Sequence, residues 1–324
     1  PGINPASVAI PAQVCHGTGC NPQTNVVVMP ESASPLRIQE GTPAPGTSGA
    51  SFLSFENIKS SIGNLFYLAQ LTGGDVTSIV VGGNTLSNAT GLWRDTGLNT
   101  PQLITRTLDP LTSDPNGPVI GTIYSGSKSP IETATGDVIF DVIRYLRSTG
   151  ASLGEGLYKW SSGIVSPIIV KNDPITGLTG VTFNSVLTDL YSNSIWSSGN
   201  DITTIARLAG TGVTSSNNNA ILRINNGQTT VLARGGQQAV GTPVGQTYLN
   251  STISALRVAP SGKYAFVARL QGAGVTTANN MGIWTGDNNA QNLALRLGMV
   301  IGNYYIYSFG GDISNIQDYQ INDL

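Results

Sequence analysis

Ala206-Arg-Leu-Ala-Gly-Thr-Gly-Val-Thr-Ser-Ser-Asn-Asn-Asn-Ala-Ile221 returns as Ala268-Arg-Leu-Gln-Gly-Ala-Gly-Val-Thr-Thr-Ala-Asn-Asn-Met-Gly-Ile283, with ten of sixteen positions identical at an offset of 62 residues. Chance does not produce that density within one chain, so the protein is a tandem repeat and its organisation is read before any local structure. Outward from this pair, a glycine followed by an apolar strand recurs at Gly63–Leu71, Gly136–Ile143 and Gly262–Leu270. A second strand follows at Gly91–Arg94, Gly156–Trp160, Ala220–Ile224 and Gly282–Trp284. A third follows at Gln102–Arg106, Ile168–Lys171, Thr230–Arg234 and Leu293–Leu297, and each unit closes on an aromatic, at Tyr124, Phe183, Tyr248 and Phe309.

The N-terminus reads as a degenerate fifth copy: Val8–Val14, Asn25–Met29 and Leu36–Gln39 stand for the three strands, and Phe52 closes it. The units are therefore 1–56, with an N-terminal arm and a cysteine loop, then 57–130, 131–190, 191–252 and 253–324. Asn225-Asn226-Gly227 between apolar runs is a hairpin turn, because Asn and Gly accept the positive φ that such a turn needs. No segment sustains a 3.6-residue apolar period. The expected fold is all-β and propeller-like, with about five blades. One such unit cannot bury both faces of its sheet alone, so neighbouring units must stack.

Composition narrows the function. The chain has 324 residues, of which only 10% are charged against 40% apolar, and its net charge is −2. An ordinary soluble domain carries about 25% charged residues. With no basic run, nucleic acid is excluded as a partner, and no apolar stretch is long enough to insert in a membrane. Pro1 in first place points to a cleaved leader, hence to an extracellular or cell-surface location. Cys15 and Cys20 flank a short Gly-containing loop and read as a local disulfide rather than a metal site, since His16 is the only histidine.

The stretch Pro260-Ser-Gly-Lys-Tyr-Ala-Phe-Val-Ala268, with Asn280–Trp284, resembles the bacterial surface and secreted proteins built from tandem Asn-x-x-Gly-x-x-Ala-Phe repeats, which carry differing C-terminal anchors. The likeness is good over residues 200–300 and fragmentary before 130. Pro260 stands where the motif has Asn, and no recognisable anchor follows Leu324. The resemblance implies a β-rich surface protein and supplies no catalytic residue.

Candidate chemistry is sparse. Asp137, Asp141, Glu155, Asp173 and Asp201 are the acids considered for a glycosidase pair; Asp141 stands inside an apolar strand, where alternation places it on a solvent-facing side. Trp93, Trp160 and Trp284 recur in second strands and read as core, whereas Trp196 lies outside that register and is the better exposed contact. Asn88-Ala-Thr90 and Asn250-Ser-Thr252 are possible glycosylation sequons in expected loops. No catalytic residue, metal or cofactor is expected, and the chain is expected not to be an enzyme. The leading expectation is a secreted structural protein that assembles with itself into a filament, sheath or surface layer. Its N-terminal strand (Val8, Ile10, Val14) pairs with a sheet edge, either of the same chain or of a neighbour. The alternative is a cell-surface propeller that binds glycan or protein, with a secreted glycoside hydrolase as a further alternative.

Overall fold

In the computed structural model, residues 10–13, 25–28, 37–61, 64–96, 101–124, 128, 130–188, 193–287, 290–302 and 304–306 are described. Strands β1 (Ile10–Gln13), β2 (Asn25–Val28) and β3 (Arg37–Gln39) form a three-stranded sheet. Four antiparallel meanders follow. Sheet I takes β4 (Ser51–Ser61), β5 (Asn64–Thr72), β8 (Thr90–Asp95) and β9 (Gln102–Arg106), with a hairpin of β6 (Ser78–Val81) and β7 (Asn84–Ser87) inserted. Sheet II takes β10 (Pro118–Ile123), β12 (Val138–Leu146), β13 (Ser152–Ser161) and β14 (Ile164–Val170), with β11 (Ile131–Glu132) also on β12. Sheet III takes β15 (Val181–Val186), β17 (Asp201–Gly210), β18 (Asn219–Asn225) and β19 (Gln228–Arg234), with β16 (Ile195–Ser198) on β17. Sheet IV takes β20 (Gln246–Tyr248), β22 (Tyr264–Gly272), β23 (Met281–Gly286) and β24 (Gln291–Arg296), with β21 (Ser254–Val258) on β22.

The fold is all-β, and each four-stranded sheet has the meander order of a propeller blade. Each sheet starts one strand earlier than the sequence repeat, because the closing aromatic of one unit lies on the first strand of the next sheet. Phe52 pairs with Leu71, Phe183 with Leu208 and Tyr248 with Leu270. The chain divides into two compact units. One comprises Pro1–Glu132, Asp137–Leu153 and Tyr158–Ser166; the other comprises Thr133–Gly136, Gly154–Leu157 and Pro167–Leu324.

Stacked aromatics fill the sheets from inside. Tyr67 lies nearly parallel to Trp93 at 5.9 Å and Phe266 to Trp284 at 5.7 Å, and Phe140 meets Tyr158 at 6.4 Å with its ring inclined by 29°. A Cβ on Gly91 would meet the Trp93 ring at 2.4 Å, and one on Gly282 the Trp284 ring at 2.7 Å, so these glycines make room for the indoles. The Trp93 Nε1 donates to Pro45 O and the Trp284 Nε1 to Val240 O. Trp93 and Trp284 are thus core, as read. Trp160, also buried, lies two residues beyond the shared register, which Tyr158 occupies, and the Arg94 guanidinium covers it at 5.0 Å. Burial pushes the Tyr67 hydroxyl up, and nearby Asp95 adds to this; burial also pushes Tyr248 up to about 12.

Ile10 of the N-terminal arm pairs with Val28 of the same chain, through β1 and β2. Val8, Val14, Cys15, His16, Cys20 and Phe309 lie outside the described residues.

Candidate functional site

The charged side chains are taken up first by the fold. Glu132 accepts from Asn64 Nδ2 at 2.6 Å and from Arg94 Nη1 at 3.0 Å while almost wholly buried. Arg223 donates to Gly262 O at 2.9 Å, lies 4.0 Å from Asp201, and sits over the Tyr264 ring at 5.4 Å. Both arginines lie one residue past the core position of their strand, and each reaches into the next sheet.

A second device repeats at the other end. In sheet III, Asn217 Oδ1 accepts from Thr214 N, Asn217 Nδ2 donates to Gly212 O, and Arg234 Nε donates to Asn217 O. Asn279, Thr276, Gly274 and Arg296 do the same in sheet IV. In sheet I the same bonds join Asn88, Thr77, Asp75 and Arg106. Desolvation by burial lowers the pKa of Arg234 and of Arg296.

These bonds correct several expectations. The half-buried Asn88 holds its own turn, with Oδ1 accepting from Thr77 N and Nδ2 donating to Asp75 O. Asn250 is 6% exposed: its Oδ1 accepts from Asn219 N at 2.8 Å and its Nδ2 donates to Ser215 O and Asn218 Oδ1. A buried, fully used amide cannot carry a glycan in the folded chain. Asp141 is not solvent-facing but 0% exposed, because β12 is central and covered on both faces; Lys128 Nζ lies 3.6 Å from it. Trp196 is half-buried rather than an open contact: its Nε1 donates to Asn193 O, and Arg257 covers its ring at 5.6 Å.

The remaining acids are structural too. Asp137 lies 3.7 Å from Lys159. Glu155 Oε2 accepts from Val186 N at 2.9 Å and Asp173 Oδ2 from Val170 N at 2.8 Å. The five acids read from sequence are thus held in separate contacts.

Two clefts stand out among the described residues. The larger, about 550 Å³, is lined by Asn217, Arg234 and Gln237 among others, and its arginine belongs to the repeated scaffold. The smaller, about 300 Å³, departs from the repeat. Glu56, Gln70, Thr90, Thr107, Thr122 and Tyr124 supply its polar lining, with Leu68, Gly121 and Ile123. Thr90 Oγ1 donates to Gln70 Oε1 at 3.1 Å, which fixes the amide so that its Nε2 faces Glu56 Oε1 at 3.5 Å. Thr107 Oγ1 donates to Thr90 O at 3.2 Å. Lys128 Nζ sits 4.2 Å from the Tyr124 ring.

Equivalent residues elsewhere are different. Ala69-Gln70-Leu71 corresponds to Ala206-Arg207-Leu208 and Ala268-Arg269-Leu270, so two sheets carry an exposed arginine where sheet I carries Gln70. Ser54 pairs with Gln70 as Ser185 pairs with Arg207, each just past a bulge, which places Glu56 where sheet III has Leu187. Sequence reading did not single out Glu56, Gln70 or Tyr124 as a site.

A tandem array of four-stranded blade-like sheets with one polar cleft off the repeat pattern is the class that fold and site define. The chain belongs to a family of unknown function (DUF7453), whose model matches residues 79–297. No curated protein matches it. Among solved structures it is similar to a protein of unknown function from Dyadobacter fermentans, at 12% identity and a TM-score of 0.32, covering 76% of this chain and 68% of that one. It is also similar to a Hadza microbial sialidase, at 11% identity and a TM-score of 0.34, covering 86% of this chain and about half (52%) of that one. A family 117 glycoside hydrolase from the marine bacterium Zobellia galactanivorans matches at 9% identity and a TM-score of 0.30, covering 79% of this chain and 73% of that one. With a sialidase and a glycoside hydrolase among these structures, the expectation that the chain is not an enzyme is withdrawn. Likeness at this level assigns neither a reaction nor a residue.

Proposed function

We propose that the chain is a carbohydrate-directed β-repeat protein that holds a sugar in the cleft of Glu56, Gln70, Thr90, Thr107, Thr122 and Tyr124. The observation that carries this is the lining itself: a carboxylate, an amide, three threonine hydroxyls and a tyrosine ring in one concavity, with no Lys or Arg among the described lining residues. Sugars present dense hydroxyls beside apolar C–H faces. They are met by fixed donors and acceptors next to an aromatic plane, whereas an apolar ligand would leave these polar groups unpaired. A volume of about 300 Å³ fits one or two sugar rings and lies at the lower end for small-molecule sites.

The described part of the arm pairs within its own chain, β1 on β2. The test is calorimetric titration with a panel of oligosaccharides, with reducing-end release assayed on the same mixtures. One saturable site that Glu56→Gln weakens supports the reading. If no member of a broad panel binds, or if binding ignores every substitution in the cleft, the reading fails. Sugar release that Glu56→Gln abolishes would make Glu56 a catalytic residue as well.

A further inference from the structure

We propose that this cleft selects sugars bearing a free ammonium, 2-amino-2-deoxy sugars, over their N-acetylated and acidic relatives, with Glu56 as the specificity-determining residue. The inference rests on the carbohydrate reading above and deepens it.

Among the described lining residues, Glu56 is the one that is formally charged. The difference from sheet III is a double one: a leucine position has become a carboxylate, and an arginine position has become the neutral Gln70. Both changes move the local potential in the same negative direction. Lys128, beside the Tyr124 ring of the cleft, does not offset this, because its ammonium lies 3.6 Å from the Asp141 carboxylate and its side chain is only 8% exposed. Glu56 itself is exposed, and it accepts only a long 3.5 Å contact from Gln70 Nε2 among the described residues, so the carboxylate keeps acceptor capacity toward a ligand. Gln70 is in turn tethered by Thr90, so the amide cannot swing away to another role. An ammonium at the sugar's C2 would meet Glu56, while the neighbouring hydroxyls meet the threonines. N-acetylation removes that charge, and a uronate would bring like charge against Glu56. The net charge of −2 on the whole chain favours a cation in the same sense.

The probes are tetraglucosamine, its tetra-N-acetylated form and tetragalacturonate, titrated by calorimetry into the wild-type chain and into Glu56→Gln. Tetraglucosamine is expected to bind about threefold to fivefold more tightly than the N-acetylated oligomer at low salt, the scale of one exposed ion pair. The gap closes at high salt, where surface charges are screened. It also closes in Glu56→Gln. Gln70→Arg, which places the repeat's own cation in the cleft, brings tetragalacturonate ahead of tetraglucosamine. Equal binding of the two glucosamine oligomers, or a preference that survives Glu56→Gln, overturns this inference and leaves the carbohydrate reading standing. Absence of binding by all three together with a broad neutral panel overturns both.

Discussion

Sheet III carries Leu187 and Arg207 where sheet I carries Glu56 and Gln70, although the two strand pairs share one bulge and the register that follows it, up to the second bulge that sheet I adds just after Glu56. Elsewhere the repeats agree closely. Sheets I, III and IV each close their long loop with an asparagine whose amide spans the turn, and with an arginine that holds its carbonyl. Where repeats agree, the residues answer to packing and backbone satisfaction, which every copy needs. Where one copy departs without losing its backbone geometry, packing does not explain the change. The Glu56 cleft is such a departure.

Sheet II departs in another way. Its β12–β13 turn, residues 147–151, is too short for the asparagine device, and Lys171 stands in the arginine position. The β6–β7 hairpin of sheet I lies against this turn, with Asn84 Nδ2 donating to Gly150 O at 3.0 Å. Gly82 and Gly150 allow the approach: a Cβ on either would fall about 2 Å from a carbonyl oxygen of the other segment, at 2.1 and 2.2 Å. That departure is structural, since it trades one backbone contact for another.

The contrast between shared scaffold and divergent cleft breaks if scaffold residues prove dispensable. The largest effect is expected from Trp93→Ala, which empties a 0% exposed indole site beneath the Tyr67 ring. A loss of about 3–5 kcal/mol in urea unfolding is expected, the usual cost of such a truncation. Next is Glu132→Ala, which removes the carboxylate paired with the largely buried Arg94 guanidinium. A loss of about 3 kcal/mol is expected by the same measurement, because breaking a buried ion pair takes the counter-charge from Arg94 and leaves it the neutral Gln102 amide and the Trp160 ring. Asn217→Ala removes the turn's acceptor and donor and should lower stability by about 1 kcal/mol, read as a lower Tm in calorimetry.

The smallest effect is one of pH. The Ser48 N–H foremost, and then the Arg106 guanidinium, hold the Asp75 carboxyl below its usual range. The native state therefore binds this proton less readily than the unfolded chain does. The stabilisation is present above the ordinary carboxylate range and is lost as pH falls through the lower native value. Acid unfolding curves should show a shallower decline in Asp75→Asn than in the wild type below about pH 4.

Much of this scaffold was legible in sequence. The 62-residue offset gave the repeat, and glycine-led apolar runs gave the inner strands. The phase of the sheets was hidden, because strand pairing joins the closing aromatics Phe52, Phe183 and Tyr248 to the unit after each. Asp141 misled because alternation signals a half-exposed strand only when one face meets water, and β12 is covered on both. The Asn250 sequon looked like a loop because its neighbours are polar, yet its amide serves as the loop's internal anchor. Half of the cleft's signal was available: Gln70 between Ala69 and Leu71 breaks the Ala-Arg-Leu of the later copies. Glu56 was not, since matching it to Leu187 requires knowing where the strand bulges.

The most direct test makes sheet I resemble sheet III. In Glu56→Leu/Gln70→Arg, oligosaccharide titration of the purified chain should show binding of neutral and amino sugars lost, while urea unfolding stays within about 0.5 kcal/mol of wild type, as substitutions outside the core allow. Unchanged sugar binding in that variant would contradict the account.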